Sequence, residues 1–196
     1  MRHEAASMQT TTGEVSRAVG VEALFRAHAP FVASFLARMG VPPVDLDDAV
    51  QEVFLVAHRK GGYQPGPAQP RSWLAAIAVR VAHAGRRSRR RHLVASDEQL
   101  ERTTTAGLDP AAQLETQRAL MLVQAALDQL PLELRAAFVL FEIEGEPCES
   151  IAATWQVPIG TVYSRLHTAR RRFLSAYAAG DELEASLLQR GPEVSR

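Results

Sequence analysis

Apolar residues recur along this chain with the 3.6-residue period of a helix, and nowhere with the two-residue alternation of a strand of useful length. That pattern restricts the fold to all-α. Leu24, Phe25, His28, Phe31, Val32, Phe35, Leu36 and Met39 follow the i, i+3, i+4, i+7 rule, and Gly40 with Pro42 and Pro43 ends this first helix. Leu46, Val50, Val53, Phe54 and Ala57 line a second, with Asp45, Asp48 and Glu52 on another face, and Gly61-Gly62 closes it. The stretch GGYQPGPAQP at 61–70 holds three glycines and three prolines and reads as a loop. Ser72 is expected to cap a third helix that turns Trp73, Leu74, Ile77 and Val81 inward and runs into a cluster of arginines.

Periodicity then fails over 93–113, which contains TTT, Gly107 and Asp109-Pro110, so this stretch is expected to be a flexible linker. It resumes with Leu114, Leu120, Val123, Ala126, Leu127 and Leu130 on one helix. Leu134, Ala137, Phe138 and Phe141 line the next after Pro131, and two further helices follow over roughly 147–155 and 159–178. The expected architecture is two small helical bundles on a flexible tether. Their bounds are a mobile N-terminal tail at 1–19, a first domain at 20–92, the linker at 93–113, a second domain at 114–180 and a C-terminal tail at 181–196.

With 46% hydrophobic and 22% charged residues the chain has the composition of a soluble globular protein. Every apolar stretch is broken well before the roughly 18 residues of a membrane span, and the N-terminus lacks the apolar centre of a secretory signal, so a cytoplasmic protein is expected. One cysteine, Cys148, allows neither an internal disulfide nor a thiolate zinc cage, and no cofactor or metal is expected.

Twenty-two basic residues cancel twenty-two acidic ones, a balance that argues against nucleic acid until the distribution is considered. Residues 80–92, RVAHAGRRSRRRH, hold six arginines and no acid, and 158–173 hold Arg165, Arg170, Arg171 and Arg172, again with no acid. Asp45, Asp47, Asp48 and Glu52 form an acidic block. Such segregation implies separate surfaces for separate partners.

The segment CESIAATWQVPIGTVYSRLHTARRRFL follows helix-turn-helix logic. Ile151 and Ala152 are apolar on the first helix, small Ala152 lets a second helix cross closely, and Pro158 forbids continuation. The second helix begins near Thr161 with Val162 and Leu166 inward. Thr161, Tyr163, Ser164, Arg165, His167, Thr168 and Arg171 are left on faces that fit a major groove.

This segment, and above all GTVYSRLHTAR from Gly160 to Arg170, resembles region four of bacterial sigma factors of the extracytoplasmic function (ECF) group. LFRAHAP at 24–30, DDAVQEVFLVAHR at 47–59 and RSWLAAIAVR at 71–80 resemble sigma region two, in the correct order and spacing. The likeness covers about 21–92 and 114–178, with no region-one or region-three domain, which is the ECF layout. It implies a subunit that directs core RNA polymerase to promoters and is commonly paired with an anti-sigma factor. Asp48, Gln51 and Glu52 then resemble the surface that docks on the polymerase, where complementary charge speeds and orients association. Promoter opening requires a base to be held outside the stack, which suits aromatic and polar groups beside a cationic helix, here Tyr63 and Trp73. Trp73 fits a core position as well as a stacking platform. Arg80, Arg86, Arg87, Arg90 and Arg91 would track phosphates around the minus-ten element. The helix from Gly160 to Phe173 would enter the major groove at the minus-thirty-five element, with Arg165 and Arg171 on bases or phosphates and Arg170 and Arg172 on the backbone.

The chain departs from the family at several positions. Arg80 and Ala84 stand where Asn and Asp are common in region two, Tyr163 where Lys or Arg is usual, and Thr168 where Arg is usual. Gln156 stands at the turn glycine of the helix-turn-helix, and a positive φ there would cost on the order of 1 kcal/mol. An enzyme is disfavoured, because the acids lie on one exposed helix turn, and no phosphate-binding glycine loop or HExxH pair is present. The remaining alternative is a conventional helix-turn-helix regulator that binds duplex operators without acting as a sigma subunit.

Overall fold

A computed structural model describes residues 18–92 and 110–190, and the side chains of 18–87 and 113–183. Seven α-helices and one π-helical segment make up the described residues: α1 Val21–Arg38, α2 Pro43–Arg59, α3 Pro70–His92, α4 Pro110–Asp128, α5 Leu132–Phe138, the π-helical Val139–Ile143, α6 Cys148–Trp155 and α7 Ile159–Arg190. The all-α expectation is met. The two helices foreseen around 24–39 and 46–57 appear as α1 and α2, each stopped where glycine or proline forbids another turn.

Helices α1, α2 and α3 pack on one another around Val32, Phe35, Leu36, Val53 and Leu74, all essentially without solvent exposure. Burying each such side chain contributes about 1.5–3 kcal/mol relative to leaving it exposed. Phe25 meets Phe54 edge-on at 4.9 Å between ring centres. A second set forms where α7 packs on α4, α5 and α6, with Val162, Leu166 and Ala169 of α7 buried against Leu127, Ala137 and Ile151. Phe138 stacks on Phe173, and Phe173 on Tyr177.

Several boundaries fall elsewhere than the sequence suggests. Helix α3 starts at Pro70 and α4 at Pro110, because proline's fixed φ and missing N–H suit the first turn of a helix as well as they end one. Residues 110–113 are thus helical, not linker, and Ser72 lies inside α3 instead of capping it. Val19, assigned to the tail, pairs with Tyr63 through two backbone hydrogen bonds of 2.8 and 3.0 Å. Gly62 permits that pairing: a Cβ there would lie 2.4 Å from the Val19 carbonyl oxygen. Helix α7 runs on to Arg190, past the expected end at 180. The expected tail at 1–17 and 191–196 and the linker at 93–109 lie outside the described residues.

Gln156 ends α6 at φ 54° and ψ 42°, the left-handed conformation anticipated for this position. Only glycine adopts it without steric cost, so Gln156→Gly is expected to stabilise the fold by about 1 kcal/mol, less the entropy glycine adds to the unfolded chain. Urea denaturation measures this directly, and an unchanged or lower midpoint would contradict it.

The two helical sets are not apart in this structure. Helix α3 packs on α5 and α6, and the buried side chains form one connected cluster.

Candidate nucleic-acid interface

The acidic face arises because α2 turns Val53, Phe54 and Ala57 into the core, which leaves residues 48, 51 and 52 on the outer surface. Asp48 and Gln51 are exposed, and Glu52 accepts a hydrogen bond from Arg59 at 3.2 Å. Asp45, Asp48 and Glu52 edge a groove of about 630 Å³ whose floor includes Val56, Ile77 and Val81. Charge and apolar surface lie side by side there.

Of the aromatic pair, Tyr63 is 6% exposed, its hydroxyl donates to the Ala68 carbonyl, and its ring meets Trp73 edge-on at 5.9 Å. Its place is inside the 61–70 loop, where it fixes the loop's shape; in this conformation it cannot receive a base. Trp73 is half-buried and lines a cleft of about 490 Å³. Arg80 is exposed and also lines that cleft, and Arg87, exposed two turns further along the same face of α3, lines a neighbouring groove with it. Arg86 lies 4.0 Å from the Asp128 carboxylate. The side chains of Arg90 and Arg91 lie outside the described residues.

On α7, Tyr163, Ser164 and His167 are exposed, while Thr161 and Thr168 are half-buried. The Ser164 hydroxyl donates to the Thr161 carbonyl at 3.0 Å, a contact that uses the serine within its own helix. Arg165 donates to Glu133 at 3.0 Å and lies over the Trp155 ring at 5.5 Å. Arg170 pairs with Glu142 and lies over Phe141. Arg171 and Arg172 are exposed. The structure thus brings the residues expected at the minus-thirty-five element together on α7, but holds Arg165 and Arg170 on carboxylates of α5 and the π-helical segment. A carboxylate in that position occupies the donors that a guanidinium would otherwise offer to another anion.

Arg165 also lines the 490 Å³ cleft, opposite Trp73 and Arg80, with Glu133 and Gln156 beside it. Side chains assigned to two different DNA elements therefore share one cleft.

Sequence reasoning missed the charged groups where the two sets meet. Glu144 accepts from Arg38 at 2.8 Å and from Arg71, and Glu146 accepts from Ser72 at 2.7 Å. Arg135, wholly buried, pairs with Asp128 at 2.6 Å. His28 lies by this cluster, and burial, then the nearby Arg71 charge, holds its pKa below the ordinary imidazole value. Burial likewise pushes the Cys148 thiol up, so it is a packed side chain and not a reactive one. The alternating acids of FEIEGEP at 141–147 were the one visible sign of this cluster.

Residues 24–92 match the family described as Sigma-70 region 2, and residues 120–173 match that described as Sigma-70, region 4. The chain is 35% identical over 163 residues to the ECF RNA polymerase sigma factor SigE of Mycolicibacterium smegmatis, a likeness covering 82% of this chain and 63% of that protein. It is 33% identical over 172 residues to the ECF RNA polymerase sigma factor SigM of Mycobacterium tuberculosis, covering 87% of this chain and 84% of that one. With the ECF RNA polymerase sigma-E factor of Escherichia coli it shares 33% over 147 residues, 71% of this chain and 76% of the other. Among solved structures, the sigma factor RpoE in complex with the anti-sigma factor NepR from Bartonella quintana superimposes with a TM-score of 0.57 at 23% identity, over 78% of this chain and 92% of that one. CnrH in complex with the cytosolic domain of CnrY gives 0.55 at 23%, over 81% and 88%. These two likenesses speak for the fold.

Proposed function

The chain belongs to the ECF sigma factors of the sigma-70 family, and from that membership we propose that it binds core RNA polymerase through α2 and carries it to promoters read by α3 and α7. The observation that carries this reading is the region-two match followed by the region-four match on one chain. Asp48, Gln51 and Glu52 serve the polymerase. Trp73, Arg80, Arg86 and Arg87, with Arg90 and Arg91, serve the minus-ten element. Thr161, Tyr163, Ser164, Arg165, His167, Thr168, Arg170 and Arg171 serve the minus-thirty-five element. Its role is that of a regulatory subunit in the cytoplasm, not a catalyst. No helix among the described residues is long and apolar enough to cross a membrane. An anti-sigma factor is its proposed regulator, in line with the company kept by RpoE of Bartonella quintana.

Run-off transcription tests the reading. The chain with core polymerase should initiate at a defined start site where core alone does not. Binding to duplex operators in the absence of polymerase, with no run-off product, would establish a conventional regulator instead. Within that assay, Arg165→Ala is expected to cost about 1–3 kcal/mol of discrimination between the cognate minus-thirty-five sequence and a one-base variant. Equal weakening on both sequences would assign Arg165 to a phosphate.

A further inference from the structure

We propose that the second helical set docks on the first through the acidic elbow Glu144–Gly145–Glu146, and that this self-docking is a closed resting state of the free chain. The elbow is built before it binds. The π-helical segment widens the backbone so that the Glu144 N–H reaches the Val139 carbonyl at 3.0 Å and the Glu146 N–H reaches Leu140 at 2.9 Å, and Gly145 takes φ +69° to turn the chain. Both carboxylates then point at the other set. Glu144, 11% exposed, spans Arg38 of α1 and Arg71 of α3. Glu146, 7% exposed, takes the Ser72 hydroxyl.

A directed chain of hydrogen bonds completes the seam: the Gln69 N–H donates to Ser150 Oγ at 2.7 Å, Ser150 to Ser72 Oγ at 2.8 Å, and Ser72 to Glu146. Further along, Asp128 of α4 faces Arg86 of α3. Gly40, at φ +83°, lies so near this pair that a Cβ would stand 2.6 Å from Arg86 and 3.1 Å from Arg135.

Carboxylates are rarely buried unless paired, and here the partners sit 73 to 106 residues away on the other set. Such a seam specifies one docking geometry while adding little net stability, since each charge regains water on parting. That combination suits a contact that must be reversed.

The consequence for function rests on the sigma reading. Minus-ten and minus-thirty-five elements are roughly 25 base pairs apart, about 85 Å at about 3.4 Å per base pair. In the closed chain the two sets are in direct contact, and even the longest helix, the 32-residue α7, spans only about 48 Å at about 1.5 Å per residue. The docked form also turns Trp73 and Arg80 toward Arg165 across one cleft. Promoter binding by both sets therefore requires the elbow to release.

A reversible lock tests this. In a Cys148→Ala background, Ser72→Cys with Ser150→Cys places two thiols where hydroxyl oxygens now lie 2.8 Å apart, close enough for a disulfide. Oxidation should cross-link the free chain almost completely, lower run-off transcription at least tenfold, and be undone by dithiothreitol. Absence of cross-linking, or full activity of the cross-linked chain, overturns the proposal. Independently, dyes at Ala27→Cys and Ala178→Cys in the same background should report a short separation that lengthens when Glu144→Gln and Glu146→Gln are added. A separation already long without those changes also overturns it. Cross-linking and dye distance need no polymerase. A chain that docks by both measures, while its Cys148→Ala parent gives no run-off product, would overturn the sigma reading and leave the docking intact.

Discussion

Arg135→Ala is expected to destabilise the chain by about 3 kcal/mol, whereas Arg135→Met is expected to be close to neutral. Among the described residues Arg135 is the largest side chain with no solvent exposure, and its Nε and Nη2 have no hydrogen-bond partner there. Truncation to alanine removes the packed aliphatic stem and leaves a cavity, which is the origin of costs of about 2–5 kcal/mol at such sites. Methionine keeps most of that volume and also removes a cation that burial already disfavours, a disfavour seen in the direction of its lowered pKa. Asp128 is half-exposed and is rehydrated when it loses its partner, so no stranded buried charge offsets the gain. Urea melts of the two variants beside the parent decide the matter. A methionine variant as unstable as the alanine one would show that the Asp128 ion pair, and not the packing of the stem, holds this position.

How much of the molecule can be read from the chain depends on how local each determinant is. The apolar stripes of α1 and α2 and the inward Val162 and Leu166 of α7 follow from spacing alone; most of these residues are buried or partly buried as that spacing requires, while Phe25 at the edge of its stripe stays about half exposed. Gln156 was legible only through the resemblance, which puts a glycine at this turn, and its φ of 54° shows that the left-handed conformation is kept without one. Proline misled, because Pro43, Pro70 and Pro110 each start a helix with the fixed φ that reads from sequence as the end of one. The π-helical segment leaves no mark in the sequence, because its apolar residues are as frequent as those of an α-helix and only their backbone pairing differs. Least legible was the seam between the sets. Arg38, Arg71 and Ser72 each look like ordinary helix-surface residues until a carboxylate from a distant helix is placed against them. The row of polar and cationic residues on α7 is visible in the sequence, but not that Glu133 and Glu142 hold two of its arginines.

The second large effect is expected at the acidic face of α2. Asp48→Lys with Glu52→Lys should weaken association with core polymerase by about 100-fold, equivalent to about 3 kcal/mol at about 1.4 kcal/mol per tenfold. The double change converts two anions into two cations on a chain whose formal charge is zero, so the local field reverses sign where the partner approaches. Part of the loss should appear in the association rate, which such fields govern, and part in dissociation, where like charges now face one another. Raising the salt concentration should narrow the difference between variant and parent, because screening removes the repulsion faster than it removes apolar contact along the neighbouring groove. The fold should be little affected: Asp48 is exposed, and the Glu52 contact with Arg59 is a surface pair worth under about 1 kcal/mol. Surface plasmon resonance against immobilised core enzyme, beside a thermal melt of each variant, separates the two effects. Unchanged affinity with an unchanged melt would remove Asp48 and Glu52 from the docking surface, and the search for the polymerase contact would move to the exposed Phe25 and Leu55 on α1 and α2.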